Sequence, residues 1–315
     1  MSMSLAASLV EVVGPDRVRE GASLSGLTTF RIGGPADWLV ETRGADETLQ
    51  VLQIARKVGL PITVLGGGSN LLVADDGVRG VVIRMRGGAV EDRGDGDVRA
   101  DAGVLLNGLV RWTIHRGRAG LAGWAGTPGT VGGAVRGNAH WAGRGIGELV
   151  RDVRLATLEG LVRDVRRLEM EFGYDSSRVQ RTREVVLWAV FHLEPGVPAE
   201  LLAVARSSLA ERRRTQPLDR PTAGCIFQNP DPRVDALPTG IPPSAGALID
   251  RAGLKGKRIG GARVSPTHAN FIENDGNAKA RDVRALIELC RSEVHSRFGV
   301  LLREEIVCIG DFGGD

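Results

Sequence analysis

Apolar positions recur along this chain at two periods, and the changes of period lay out its elements. Leu5, Leu9 and Val12 or Val13 share one helical face, so residues 1–26 read as a helical lead-in. Residues 38–41 read as a strand. In 45–58, Leu49, Leu52, Ile54 and Ala55 mark an amphipathic helix. Asp46 and Glu47 stand in its first turn, where the helix dipole favours anions, and Gly59 ends it. Residues 62–65 are the next strand, so the opening is β-α-β. Residues 81–85 and 98–100 read as strands separated by the turn Arg93-Gly94-Asp95-Gly96. Residues 105–117 read as a helix with Leu109, Val110 and Ile114 inward. Residues 150–158, 162–168 and 184–193 read as a β meander, and 195–198 as a linker. A second amphipathic helix, 200–214, carries Leu201, Leu202, Val204 and Leu209 on one side. Residues 244–252 and 281–298 read as helices; 264–272 and 300–309 contain strands.

Two glycine-rich stretches interrupt this pattern. The first is Val64-Leu65-Gly66-Gly67-Gly68-Ser69-Asn70-Leu71-Leu72-Val73, a strand running into a turn and then another apolar strand. Glycines allow positive φ, and successive amides in such a turn form a concave anion site; a plain glycine hairpin is the alternative. The stretch is neither the dinucleotide GxGxxG nor a P-loop. The second runs from Gly120 to Gly137, with Asn138 and Ala139 following. Two such loops suit a long ligand with a diphosphate at one end and a ring at the other.

The bulk numbers narrow the class. A chain of 315 residues holds two or three domains, and 42% hydrophobic with 25% charged residues is ordinary for a globular protein. The net charge of +3 comes from interspersed residues, which argues against nucleic acid and is compatible with an anionic nucleotide. No signal peptide and no apolar run near the roughly 20 residues of a membrane span is visible. Cys225, Cys290 and Cys308 are an odd number without metal spacing, so the expectations are no metal and a reducing, cytoplasmic setting.

Thr29-Phe30-Arg31-Ile32-Gly33-Gly34-Pro35-Ala36, the Gly-Gly-Gly-Ser-Asn-Leu stretch and Gly126-Thr127-Pro128-Gly129-Thr130-Val131-Gly132-Gly133-Ala134 together resemble the UDP-N-acetylenolpyruvoylglucosamine reductase (MurB) family, over nearly the whole chain and in order. The resemblance implies an α+β protein: a two-subdomain FAD-binding fold of the vanillyl-alcohol-oxidase/PCMH type (residues 1–86 and 87–197) and a C-terminal α+β substrate domain (198–315) whose last strand returns to the active site. It implies FAD and NADPH as cofactors and UDP-N-acetylglucosamine enolpyruvate as substrate. The cofactor contacts it implies are Gly66, Gly67, Gly68, Ser69, Asn70, Leu71, Gly126, Thr127, Pro128, Gly129, Thr130, Gly133, Ala134 and Arg212. A monomer of the shorter subtype, lacking an inserted tyrosine loop, is expected, and Tyr174 is the chain's one tyrosine.

Carried onto this chain, the resemblance assigns the reacting residues. In 215–230 the family's proton-donating serine is replaced by Cys225, whose thiol is of similar size and a better acid, with a reference pKa of about 8.5. A buried structural cysteine is the alternative. Gln228 stands where a lysine is common, and Asn229 can still donate. Glu305 matches the catalytic glutamate by its spacing to Ile309-Gly310, with Glu304 beside it facing the other way if the segment is a strand. Tyr174 matches a substrate contact, while His268 and Asn270 serve the substrate domain's architecture first and contacts second. One position departs: in Phe172-Gly173-Tyr174-Asp175-Ser176-Ser177-Arg178 the family's enolate-stabilising arginine is replaced by Asp175, of opposite charge. Three readings stay open: Arg178 reaching back into that space, another cation serving there, or a repurposed relative. The rivals are another flavin oxidase and a non-catalytic nucleotide-sugar binder.

Overall fold

A computed structural model describes residues 4–313, and the chain divides into two compact units. The first comprises the chain up to Ala22, Ala36–Gly67 and Arg79–Glu211; the second comprises Ser23–Pro35, Gly68–Val78 and the chain from Arg212 onward. Both mix helices with sheet, so the fold is α+β. The limits differ from those expected at 86/87 and 197/198. Two early segments belong with the chain's last third because Phe30, Ile32 and Leu72 are in its core, a long-range choice that no local pattern reveals.

The first unit holds a four-stranded sheet in the order Val18–Ser23, Pro35–Thr42, Val78–Met85, Ile62–Leu65. The β-α-β opening is present, with helix Gly44–Lys57 as its crossover, but Val78–Met85 inserts between its two strands and runs parallel to Ile62–Leu65. The lead-in helix is shorter than expected. It spans Leu5–Val13, Gly14 at φ 85° and Pro15 stop it, and Val18–Ser23 is a strand.

The unit's second sheet has the order Val162–Arg166, Val150–Ala156, Val185–His192, Asp97–Asp101, Val90–Asp92. This is not the consecutive meander expected, because Val185–His192 pairs with Val150–Ala156 and not with Val162–Arg166. Burial explains the order. Val185–His192 is almost wholly buried and takes a central place, whereas Val162–Arg166 buries only Val165 and takes an edge. The expected linker is also structured, since Glu194–Pro195 pairs with Arg118–Ala119. In helix Pro198–Thr215 the buried stripe is Leu201, Ala205, Ser208 and Arg212, while Leu202 and Val204 are exposed, so the helix is turned away from the face the aliphatic residues alone suggested. Arg212 thereby becomes a buried cation.

A charged cluster closes the first unit at the short helix Arg178–Thr182. Glu184, its side chain 3% exposed, accepts from Thr182 Oγ1 at 2.7 Å and Arg178 Nε at 3.1 Å, and it pairs with Arg163. Burial opposes its ionisation, but these hydrogen bonds and positive charges outweigh burial and hold its carboxyl below the ordinary range.

The second unit is built on Phe30, Leu72, Ile226, Phe227, Leu248 and Leu286. Leu71–Val73 pairs in parallel with Val307–Ile309, and Arg258–Ile259, Ala262–Val264 and Ile272–Asn274 form a three-stranded sheet. Helix Ala245–Arg251 starts at a Ser244 cap, and helix Ala280–Phe298 starts where Asp75 accepts from the amides of Ala280 and Arg281 at 2.7 and 3.1 Å. Buried Asn274 donates to Phe30 O at 2.9 Å and accepts from Gly276 N at 2.7 Å and Ala278 N at 3.0 Å, fixing an early segment to the late sheet. No helix among the described residues is long and apolar enough to cross a membrane.

Asn274→Ala leaves one carbonyl and two amides without partners, so urea unfolding should show a loss of about 2–4 kcal/mol. Glu184 carries a lowered folded-state pKa, so its stabilisation is complete above the ordinary glutamate value of 4.5 and is lost as pH falls through the lowered value. Glu184→Gln should reduce the melting temperature at pH 7 and flatten its decline below about pH 4.5; an unchanged acid limb would show that the cluster contributes nothing.

Candidate active site

In the first unit, strand Ile62–Leu65 delivers Gly66 and Gly67 directly onto the second glycine loop. A Cβ at Gly66 would lie 2.5 Å from Thr130 Oγ1, and one at Gly67 would lie 2.6 Å from Gly129 Cα. Only glycine lets the two backbones meet this closely. Asn107 fastens the second loop, accepting from Gly126 N at 2.7 Å and donating to Thr127 O at 2.9 Å. Thr130 caps helix Val131–Arg136, its Oγ1 accepting from Gly133 N at 3.4 Å. The amides of Val131, Gly132 and Ala134 bond to Val104 O, Ala102 O and Thr130 O. The start of this helix is therefore engaged internally. Buried Ala134 belongs to the packing, whereas Gly129 is half-buried and Gly133 is exposed. Gly68 belongs to the second unit; at φ +63° its Cβ would fall 2.0 Å from Leu27 O, and Thr29 N donates to its carbonyl at 3.0 Å. Thr29 Oγ1 also lies 3.5 Å from Ser69 O.

The segment carrying Tyr174 and Asp175 is held to the end of helix Val131–Arg136. Asn138 donates to Gly173 O at 2.7 Å and accepts from Gly147 N at 2.8 Å, and Ser177 Oγ donates to Arg136 O at 2.7 Å. Asp175 adopts φ 50° and places Oδ1 2.8 Å from His140 Nδ1, and the His140 and Tyr174 ring centroids are 5.2 Å apart. Tyr174 is half exposed. Arg178 does not reach back toward this turn: its guanidinium bonds to Glu184 and to Glu169 O at 3.2 Å. Glu184 is the stronger claim on it because that carboxylate is buried and needs the charge.

In the second unit three segments converge on Cys225. Residue 225 bridges to Phe271, Ile226 N donates to Asn270 O at 2.8 Å, and Ile226 O accepts from Glu305 N at 2.9 Å. Phe227 bridges to Glu304, and Gln228 N donates to Arg303 O at 2.9 Å. Asn70 Nδ2 donates to Glu305 O at 3.0 Å, beside the pairing of Leu71 with Val307. Cys225, Glu305 and Asn70 are thus linked through two neighbouring peptides. Glu304 is claimed elsewhere, pairing with Arg284 at 2.6 Å and with Arg291. Arg212 is buried; burial pushes its guanidinium down, and the Cys225 sulfur pulls it back up. The other thiols are insulated: burial pushes Cys290 up to about 12, and Cys308 up despite Arg284 beside it.

The remaining expected substrate residues have structural attachments. Asn270 is buried and holds both the amide and the carbonyl of Phe227, at 2.9 and 2.7 Å. His268 Nδ1 accepts from Asn270 N at 3.2 Å, its ring lies edge-on to Phe271, and burial pushes its pKa down. Asn229 Oδ1 accepts from Ala245 N at 3.0 Å, which leaves its amide group to donate. Sequence reasoning missed Asn107, Asn138, His140 and Asn274. Each asparagine follows or sits among glycines and apolar residues, where a side-chain amide often ties a loop, and that was the available signal.

The residues present fit a flavin dinucleotide. Two glycine loops meet backbone to backbone in the first unit, and in the second Asn70 Oδ1 is buried with no protein partner, an acceptor left for a ligand donor.

The family model for a "FAD binding domain" matches residues 36–166, and that for "UDP-N-acetylenolpyruvoylglucosamine reductase, C-terminal domain" matches 216–309. The UDP-N-acetylenolpyruvoylglucosamine reductase of Parasynechococcus marenigrum (strain WH8102) is 41% identical over 297 residues, covering 93% of this chain and 96% of that protein. UDP-N-acetylenolpyruvoylglucosamine reductase 2 of Symbiobacterium thermophilum is 41% identical, over 93% of this chain and 92% of its own length. The crystal structure of the MurB reductase from Thermus caldophilus superposes with a TM-score of 0.77 at 33% identity, covering 93% of this chain and 99% of that one. With relatives this similar matching from end to end, the chain belongs to the UDP-N-acetylenolpyruvoylglucosamine reductase family.

Proposed function

We propose that this protein reduces UDP-N-acetylglucosamine enolpyruvate to UDP-N-acetylmuramate, using FAD and NADPH, as a step in peptidoglycan synthesis. The observation that carries the reading is the linkage of Cys225 to Glu305 through Ile226, with Arg212 close enough to interact with the sulfur. The two sheets of the first unit serve as the FAD-binding subdomains, and the second unit binds the UDP sugar. The protein works in the cytoplasm as a monomer, without nucleic acid or membrane.

Bound FAD supplies the hydride chemistry, between NADPH and the β-carbon of the enolpyruvyl group. Around it Gly66, Gly67, Gly68, Ser69, Asn70 and Leu71 take the diphosphate and neighbouring groups, with Gly126, Thr127, Pro128, Gly129 and Thr130 forming the opposing loop. Hydride arrival leaves an enolate on the substrate. Cys225 Sγ–H then gives its proton to the α-carbon, and the charge left on sulfur is stabilised by Arg212. Glu305 stands as a second proton-holding group at the pyruvyl end. Asn229 and Gln228 donate to the UDP part, Tyr174 contacts the sugar nucleotide, and His268 and Asn270 keep the Cys225 segment in place.

Of the rivals, a flavin oxidase would react briskly with oxygen, and a non-catalytic binder would take up the sugar without turnover. Anaerobic NADPH oxidation by the FAD-loaded protein separates them: turnover should require the enolpyruvyl sugar. Cys225→Ala should lower product formation by about 10²–10⁴-fold while bound flavin is still reduced by NADPH, and Cys225→Ser should restore most of the rate. Unchanged product formation in Cys225→Ala would remove Cys225 as the donor.

A further inference from the structure

Residues 64–73 carry no lysine or arginine, and between Gly120 and Gly137 the one basic residue is Arg136. Arg136 closes helix Val131–Arg136, whose cap is Thr130 in the second glycine loop. It is half-buried, and among the described residues no carboxylate pairs with its guanidinium; burial alone acts on its charge and pushes its pKa down. The guanidiniums around the neighbouring helix Arg178–Thr182 are engaged, Arg163 and Arg178 by Glu184 and Arg181 by Glu171. An arginine in a protein stays charged. A half-buried one without a counter-charge costs free energy unless an anion comes to it.

The helix directs that charge back toward the glycine loops. Helical side chains lean toward the N-terminus and lie over residues three and four back, for Arg136 Gly133 and Gly132. Gly132 is closed off, since a Cβ there would fall 2.8 Å from Ala102 Cβ. Gly133 is exposed, and a Cβ there would meet nothing nearer than Thr130 Oγ1 at 3.6 Å. Packing does not demand glycine at 133, and its bare surface leaves a path along the helix for the Arg136 stem. From Thr130 to Arg136 the helix rises about 9 Å, most of which an arginine side chain spans. At that end Thr130 and Gly129 touch Gly66 and Gly67. The helix's first amides there are taken by protein acceptors, so a positive charge must come from a side chain. The base of Arg136 is fixed, because Ser177 Oγ and Gln180 Nε2 donate to its carbonyl at 2.7 and 3.2 Å.

We propose that Arg136 is an anchoring cation for the diphosphate of FAD, reaching it over Gly133 from the far end of the helix. The diphosphate is a dianion, and a guanidinium presents a fork of donors that matches phosphate oxygens. The cofactor completes an ion pair that the protein leaves open, and the cost of enclosing the charge is offset only when FAD binds. The proposal rests on the flavin assignment above and deepens it. Arg136 is a cofactor-binding residue and takes no part in proton transfer.

The test compares two flavins on the full-length apoprotein: FAD, and riboflavin, which carries the same ring and no phosphate. Binding is followed by flavin fluorescence. Arg136→Met should bind FAD about 10–100-fold more weakly, through loss of a charge-assisted hydrogen bond, and should bind riboflavin as the unmodified protein does. Added salt should weaken FAD binding less in the variant than in the unmodified protein. Arg136→Lys should recover part of the affinity, as a point charge without the fork. The melting temperature of Arg136→Met apoprotein should hold or rise, because an unpaired, half-buried charge is gone. Unchanged FAD affinity, an equal loss for both flavins, or a lowered apoprotein melting temperature would overturn the proposal. Failure of the unmodified protein to take up FAD at all would instead overturn the flavin assignment on which it stands.

Discussion

The chemistry of the second unit depends on a parallel pairing between residues far apart in the chain, Leu71–Val73 and Val307–Ile309. Parallel strands need a long connection, and here the connection is most of the protein. The pairing places Asn70 against the Glu305 carbonyl and brings the Glu305 amide onto Ile226, one residue from Cys225. Every member of the candidate proton-transfer site is therefore set by main-chain hydrogen bonds, which fix position more firmly than side-chain contacts in a loop. Asn274 and Asp75 fasten early segments to late elements in another way, by side-chain bonds to main-chain groups.

The first unit solves the same problem with absence of side chains. At Gly66 and Gly67 there is no room for a Cβ, so two loops pack as bare backbone. At the helix start by Thr130 the amides already have protein partners. Protein hydrogen bonds hold the loop's shape, and amides for a phosphate would come from elsewhere in the two loops. Preorganisation of this kind lowers the ordering cost of binding.

Much of this was legible in the sequence, and the failures have common causes. The strand at 62–65 and the helices near 106–115, 245–251 and 280–298 were readable because apolar spacing and Ser or Gly punctuation agree there. The division into units was not, because Phe30, Ile32 and Leu72 choose a core by distant packing. Helix Pro198–Thr215 was read one face off: Leu202 and Val204 look like core, but small Ala205 and Ser208 allow closer approach and bury that stripe with Arg212. Among site residues, Cys225 and Glu305 came from motif spacing, and the structure adds that the adjacent Glu304 pairs with Arg284 and Arg291. Arg178 is bound to Glu184 instead of turning toward Asp175, a pairing that depends on the burial of that carboxylate and has no local signal in the sequence.

That competition for charge runs through the molecule. Buried carboxylates at Glu184 and Asp175 each pair with specific basic side chains, Arg178 and Arg163 in one case and His140 in the other. At buried Arg212 two effects oppose each other: burial lowers its pKa, and the Cys225 sulfur raises it.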